Sequence, residues 1–146
     1  MNYTVLVRID EQDPFDLSAF DEDERCVQIV AVGTDEQIVR RAAHPRGKTV
    51  YVVAKGNAHE NLLNGLKAVT QENTIVCRNR QTDRASIDRL LEALSQYPAI
   101  DGGACRAFDT RLLMFCLQSA MEKHEKFENY GDVVALYDTP MQPISG

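Results

Sequence analysis

The chain has 146 residues, 44% of them hydrophobic and 26% charged, and a net charge of −6. That balance excludes a disordered or fibrous chain, and it excludes a general nucleic-acid binder, which needs clustered Lys and Arg to contact phosphates. No apolar run approaches the roughly 18 residues of a membrane span, and no basic-then-apolar leader precedes the first apolar segment, so one cytoplasmic domain over residues 1–146 with no membrane association is expected.

Y-T-V-L-V-R-I at residues 3–9 alternates and is β-branched, which predicts a strand, and C-V-Q-I-V-A-V at 26–32 predicts a second. Between them, residues 10–25 carry eight acids against one arginine, so the rest of the chain is close to neutral. Such a connection is long for a structureless loop, which points to a functional loop, a short helix or local disorder, with Phe15, Leu17 and Phe20 pinning part of it. Crowded acids repel one another, and a basic surface on a protein partner would relieve that repulsion. Asp13, Asp16, Asp21, Glu22, Asp23 and Glu24 are therefore the candidate partner-binding residues.

Gly33 and Thr34 follow the second strand, and Thr34 stands three residues before Gln37, the spacing of a helix-capping box. T-V-Y-V-V-A at 49–54 is a continuous apolar strand of the kind buried on both faces. It runs into Lys55, Gly56 and Asn57, where Asn57 and Glu60 repeat the box and Leu62, Leu63, Leu66 and Val69 follow at helical intervals. A third unit has T-I-V-C at 74–77 as strand, Arg78, Asn79 and Arg80 in the turn, and a helix over about residues 83–96. Residues 97–104 interrupt the pattern, residues 109–127 predict a long helix, and D-V-V-A-L-Y-D at 132–138 predicts a final strand.

Strands alternating with amphipathic helices imply an α/β fold with a mainly parallel sheet of about five strands and helices on both faces, a Rossmann-like three-layer sandwich. In such sheets the strand ends and the following helix starts share one edge, where ligands bind. That edge collects Gly33, Thr34, Lys55, Gly56, Asn57, Arg78 and Arg80 as a candidate anion site, with helix N–H groups and cations together.

Other motifs carry less. R-G-K-T at 46–49 resembles the end of a phosphate loop, but a helix precedes it and a strand follows, the reverse of what that motif requires. Cys105 and Arg111 have the Cys-x5-Arg spacing that resembles the phosphate loop of tyrosine phosphatases, without its glycines or its hydroxyl residue, so Cys105 is not expected to be a nucleophile. Asp10 at the end of the first strand, Asp13 in the loop and Asp138 at the end of the last strand are hard oxygen ligands that could converge on a divalent metal for phosphodiester hydrolysis, although aspartates also end strands because they suit turns. His44, His59 and His124 have no accompanying nucleophile motif. Cys26, Cys77, Cys105 and Cys116 form no CxxC pair and are expected as reduced thiols. L-L-M-F-C-L at 112–117 is apolar on more than one helix face, which means either cover from both sides or a homodimer contact.

No catalytic set, metal site or cofactor is assigned. The leading expectation is a small non-catalytic binding or regulatory protein that engages a basic partner through residues 10–25. The alternative is an enzyme or sensor for a phosphorylated small molecule or nucleotide held at the carboxyl edge of the sheet.

Overall fold

Alternating apolar residues make each strand of this chain two-faced, and the helices that follow cover one face or the other. The computed structural model describes residues 1–9, 17–42, 47–77, 82–125 and 130–144. In chain order they form β1 (Tyr3–Arg8), α1 (Ser18–Asp21), β2 (Cys26–Gly33), α2 (Asp35–Ala42), β3 (Thr49–Val53), α3 (Ala58–Lys67) and β4 (Asn73–Cys77). There follow α4 (Arg84–Leu94), β5 (Ala99–Gly102), β6 (Cys105–Asp109), α5 (Thr110–Glu122), α6 (Tyr130–Ala135) and β7 (Gln142–Pro143). All strands join one sheet in the order β3-β2-β1-β4-β6-β5-β7. The pairs β1–β2, β1–β4, β2–β3 and β5–β7 are parallel, and β6 runs antiparallel to both β4 and β5.

The two faces are separate cores. Tyr3, Val5, Val7, Ile29, Ala31 and Ile75 point to one face and meet Leu17 and Phe20, Ile38 of α2, and the Ile87, Leu90, Leu91 and Leu94 stripe of α4. Leu6, Val30, Val32, Val76 and Phe108 point to the other and meet Leu66 of α3, Leu113 and Leu117 of α5, and Val133 and Val134 of α6. The result is a three-layer α/β sandwich with helices on both faces, as the period-2 and period-3.6 patterns together require. At Gly65 a Cβ would stand 2.6 Å from Leu6 Cδ1 and 2.9 Å from Val32 Cγ2, so the missing side chain lets α3 lie close against β1 and β2.

Two expectations need correction. The sheet has seven strands rather than about five, because residues 97–104 lead into β5, and β5 and β6 form a hairpin. Residues 130–135 are helix rather than strand, since burying Val133 and Val134 side by side against α5 outweighs their β-propensity. The surplus apolar surface of α5 is accounted for in part by its packing on the sheet and against α3 and α6, while Phe115 stays exposed with its ring edge-on to Tyr137, 6.0 Å between centroids.

Within the acidic stretch, residues 17–25 are ordered around one buried carboxylate. Asp23 is 1% exposed. It accepts a hydrogen bond from the Tyr3 hydroxyl at 2.8 Å and two from the Arg25 guanidinium at 2.9 Å each. Burial alone would raise the Asp23 carboxyl, but hydrogen bonds from the Arg25 side chain and amide, and from Tyr3, outweigh it and hold the group down at about 2. Burial and the Asp23 hydrogen bond push the Tyr3 phenol far above its ordinary range. Lys48 donates to the Phe20 and Asp23 carbonyls at 3.1 and 2.9 Å, which places the lysine of R-G-K-T in structural service at the entry to β3.

Candidate ligand edge

Parallel pairing aligns the strand ends. Arg8 stands opposite Val32, Gly33 opposite Val53, and Val7 opposite Cys77, so β1, β2, β3 and β4 finish along one edge. Gly33, Thr34, Lys55, Gly56 and Asn57 all lie there, and the Ala54 amide donates to the Gly33 carbonyl at 2.7 Å. Arg78 and Arg80 follow Cys77 directly in the chain but lie outside the described residues, as do Asp13 and Asp16.

The turns after β2 and β3 are closed by their own side chains. The Thr34 amide donates to Gln37 Oε1 at 2.8 Å, and Thr34 Oγ1 accepts from the Gln37 amide at 3.2 Å. Asn57 and Glu60 form a full capping box, and Asn61 Oδ1 accepts from the Lys55 and Gly56 amides at 2.9 and 3.0 Å. The amides expected to cradle an anion are therefore largely engaged, and the Glu60 carboxylate already occupies the positive end of α3. Gly33 is buried because Ile9 and Gln37 fill the space a Cβ would need. What this edge offers a ligand is side-chain charge: Lys55 is exposed, and so is Arg8 at the end of β1. Arg8 was readable in the sequence as the polar residue closing an apolar strand at the ligand edge, yet it was not singled out.

The antiparallel side of the same edge forms a groove of about 830 Å³ between the start of α4 and the β5–β6 hairpin. Asp83 caps α4 by accepting from the Ser86 amide at 2.8 Å, and this bond holds its carboxyl below the usual range. Across the groove the hairpin turns at Gly103, whose φ of 82° suits a residue without a side chain. The Gly103 amide donates to Asp101 Oδ1 at 3.0 Å. Cys105 lines the groove and is disulfide-bonded to Cys77.

This bond corrects the expectation of four reduced thiols, because the β4–β6 register places Cys77 opposite Cys105. Cys26 and Cys116 remain free and buried, and burial pushes Cys26 up to about 11 and raises Cys116 as well. The Cys105 and Arg111 spacing cannot form a phosphate loop: Cys105 opens β6, and Arg111 lies in α5 beyond the other end of that strand.

Asp138 follows helix α6 instead of ending a strand, while Asp10 and Asp13 lie outside the described residues. Among the described residues no three His, Cys, Asp or Glu side chains group to hold a metal ion. No helix among them is long and apolar enough to cross a membrane.

No family model matches the chain, and no curated protein matches it. Solved structures do. The chain is similar to the 2-C-methyl-D-erythritol 4-phosphate cytidylyltransferase of Thermus thermophilus, with a TM-score of 0.79 and 16% identity over 100% of this chain and 89% of that one. It is similar to the 4-diphosphocytidyl-2C-methyl-D-erythritol synthase of Anaerococcus prevotii, with a TM-score of 0.82 and 13% identity over 98% and 88%. A mannosyltransferase of Pyrobaculum calidifontis in complex with GDP-Man and Mn2+ matches with a TM-score of 0.68 and 16% identity, over 98% of this chain and 54% of that one.

These likenesses establish a shared Rossmann-like three-layer α/β fold. They also overturn the expectation of a non-catalytic regulatory binder working through residues 10–25, since the two neighbours matched over most of both chains are enzymes by description. The geometry agrees. Asp23 is buried in its own ion pair, and Asp21, Glu22 and Glu24 lie beside the starts of β1 and β2, at the opposite edge from Gly33 and Lys55.

Proposed function

We propose that this chain is an enzyme that binds a nucleotide or a nucleotide-activated, phosphorylated small molecule at the carboxyl edge of its sheet and transfers a nucleotidyl or glycosyl group. The observation that carries the reading is the strand order, with β6 as the one antiparallel strand among the described residues, in a fold shared with the cytidylyltransferase and the synthase over 98 to 100% of this chain and 88 to 89% of theirs. Ligands of open α/β sheets settle where neighbouring strands lead off in opposite directions. Here that point lies between β1, whose chain leads to β2 on one side, and β4, which borders β6 on the other.

Arg8, at the end of β1, borders that point, and Lys55, after β3, stands two strands further along the same edge; both are exposed. Fixed cations there would orient the phosphates and stabilise the charge that develops on them during transfer. The capped turns after β2 and β3 hold their loops rigid, which is the preorganisation such a site needs.

A thermal-shift panel of CTP, UTP, GTP, GDP-mannose and inorganic phosphate tests the reading. A ligand at a hundred times its Kd stabilises the native state by about 2.7 kcal/mol, which is several degrees in a domain of this size. A rise with at least one nucleotide, reduced in Arg8→Ala and Lys55→Ala, is the expected result. A Tm unmoved by the whole panel would count against it.

A further inference from the structure

We propose that the Cys77–Cys105 disulfide is a reversible thiol–disulfide exchange site that controls how the end of β4 is held. Through the nucleotide reading above, on which this second part rests, it also sets the affinity of the carboxyl edge.

The two cysteines are the last pair of the β4–β6 ladder, with Cα atoms 4.3 Å apart. From Asn73↔Asp109 to Val76↔Arg106 the two strands are already paired by their backbones. At Cys77 the ladder ends and the chain leaves β4 towards the residues that precede α4. The covalent bond therefore acts where the backbone ladder ceases to hold the strands, at the strand that borders both β1 and β6.

Access and selectivity follow from burial. Cys105 lines the solvent-open groove between α4 and the hairpin and is 7% exposed, so a small thiolate can approach its sulfur from the groove. Cys26 and Cys116 are 1% and 0% exposed, sit in separate cores and remain protonated thiols that neither attack the bridge nor compete for reductant. The chemistry is confined to one pair.

The step balances with a dithiol reductant. Its thiolate attacks Cys105 Sγ and forms a mixed disulfide, and Cys77 leaves as a thiolate and takes a proton. The second thiol of the reductant then displaces Cys105 as a thiol, and the reductant departs as its own disulfide, having given two electrons. A small-molecule disulfide such as oxidised glutathione reverses the sequence.

The test treats the oxidised protein with dithiothreitol under native conditions, alkylates it with iodoacetamide and follows amide hydrogen exchange by mass spectrometry. Before reduction no cysteine should be alkylated; afterwards only Cys77 and Cys105 should be. Exchange over residues 73–77 and 102–109 should accelerate about tenfold on reduction with α3 unchanged, and oxidised glutathione should restore it. The Cys77→Ser, Cys105→Ser double variant should match the reduced protein and ignore dithiothreitol, and if that variant fails to fold, the wild-type comparison decides alone. Free Cys77 and Cys105 thiols in the oxidised protein, reduction only with global unfolding, or unchanged exchange would each overturn the proposal. CTP and GDP-mannose titrations of both redox states should differ by about fivefold in affinity, and equal affinities would overturn the second part. If neither nucleotide binds in either state, the nucleotide reading and the second part fall together, and the exchange data still decide the first.

Discussion

The two halves of the sheet are held by different means. In the parallel half, β3-β2-β1-β4, the described helices cross between strands, β1, β2 and β4 are buried on both faces while the edge strand β3 is only half-buried, and the turns after β2 and β3 are locked by capping side chains. In the antiparallel half, β6-β5-β7, strands are two to five residues long, one hairpin turns on a glycine, and a disulfide ties the half to β4. The difference teaches where adaptability resides. The parallel half presents a rigid edge with exposed charge at Arg8 and Lys55, and the antiparallel half presents a groove whose wall is tied to β4 by its backbone ladder and, at the ladder's end, by one covalent bond.

The first way to break this comparison is at the base of the parallel half. Asp23→Asn leaves the Arg25 guanidinium facing a neutral amide in place of its carboxylate, and it should cost about 2 to 3 kcal/mol by chemical denaturation. The pH dependence has a definite sign. The Asp23 carboxyl is depressed in the folded state to about 2 from an ordinary 3.8, so its stabilisation is complete above pH 3.8 and is lost as pH falls towards 2. Urea titrations at pH 5 and pH 2 should show that loss in the wild type and a smaller one in Asp23→Asn. Equal losses would mean that the buried ion pair is not what orders residues 17–25.

Gly65→Ala probes the same half from the helix side. The added methyl meets Leu6 and Val32 at less than contact distance, and overpacking outweighs the gain in helix propensity, for a net cost of about 1 to 2 kcal/mol. A stability gain instead would show that α3 can lift off the sheet, which would remove the rigidity claimed for this half. Asn57→Ala removes the cap of α3 and should cost about 1 kcal/mol in the same assay.

The smallest expected change in stability is the sharpest for function. Glu60→Gln preserves the capping box and should alter stability by less than about 0.5 kcal/mol. Yet it removes a negative charge from the start of α3, close in the chain to Lys55, so nucleotide affinity at the carboxyl edge should rise. An unchanged affinity in isothermal titration would move the ligand away from this turn.

Much of the parallel half was legible in the sequence because its signals are local and redundant. The alternation of Val5, Val7, Ile29 and Ala31, and the boxes at Thr34 and Asn57, each fix an element within a few residues. The antiparallel half was not legible, for physical reasons. β5 is four residues long and turns at once into β6, so the existence of both depends on a hairpin whose glycines read as a break. Val133 and Val134 look like strand residues until α5 supplies the surface that buries them. The Cys77–Cys105 bond spans 28 residues and follows only from strand register. Asp23 is one acid among eight, and nothing in its neighbours shows that Tyr3 and Arg25 will bury it. The candidate site shared this division: its place on the carboxyl edge was readable, but the engagement of its amides by Glu60 and Asn61 was not.

The central claim is that the carboxyl edge, and not the acidic segment, receives the ligand. Hydrogen-exchange footprinting of the oxidised protein with each nucleotide of the panel tests it most directly. The account predicts slowed exchange at residues 8–9, 33–35 and 54–57, with residues 18–26 unaffected. Protection centred on residues 18–26, or none at the carboxyl edge with a nucleotide that demonstrably binds, would contradict it.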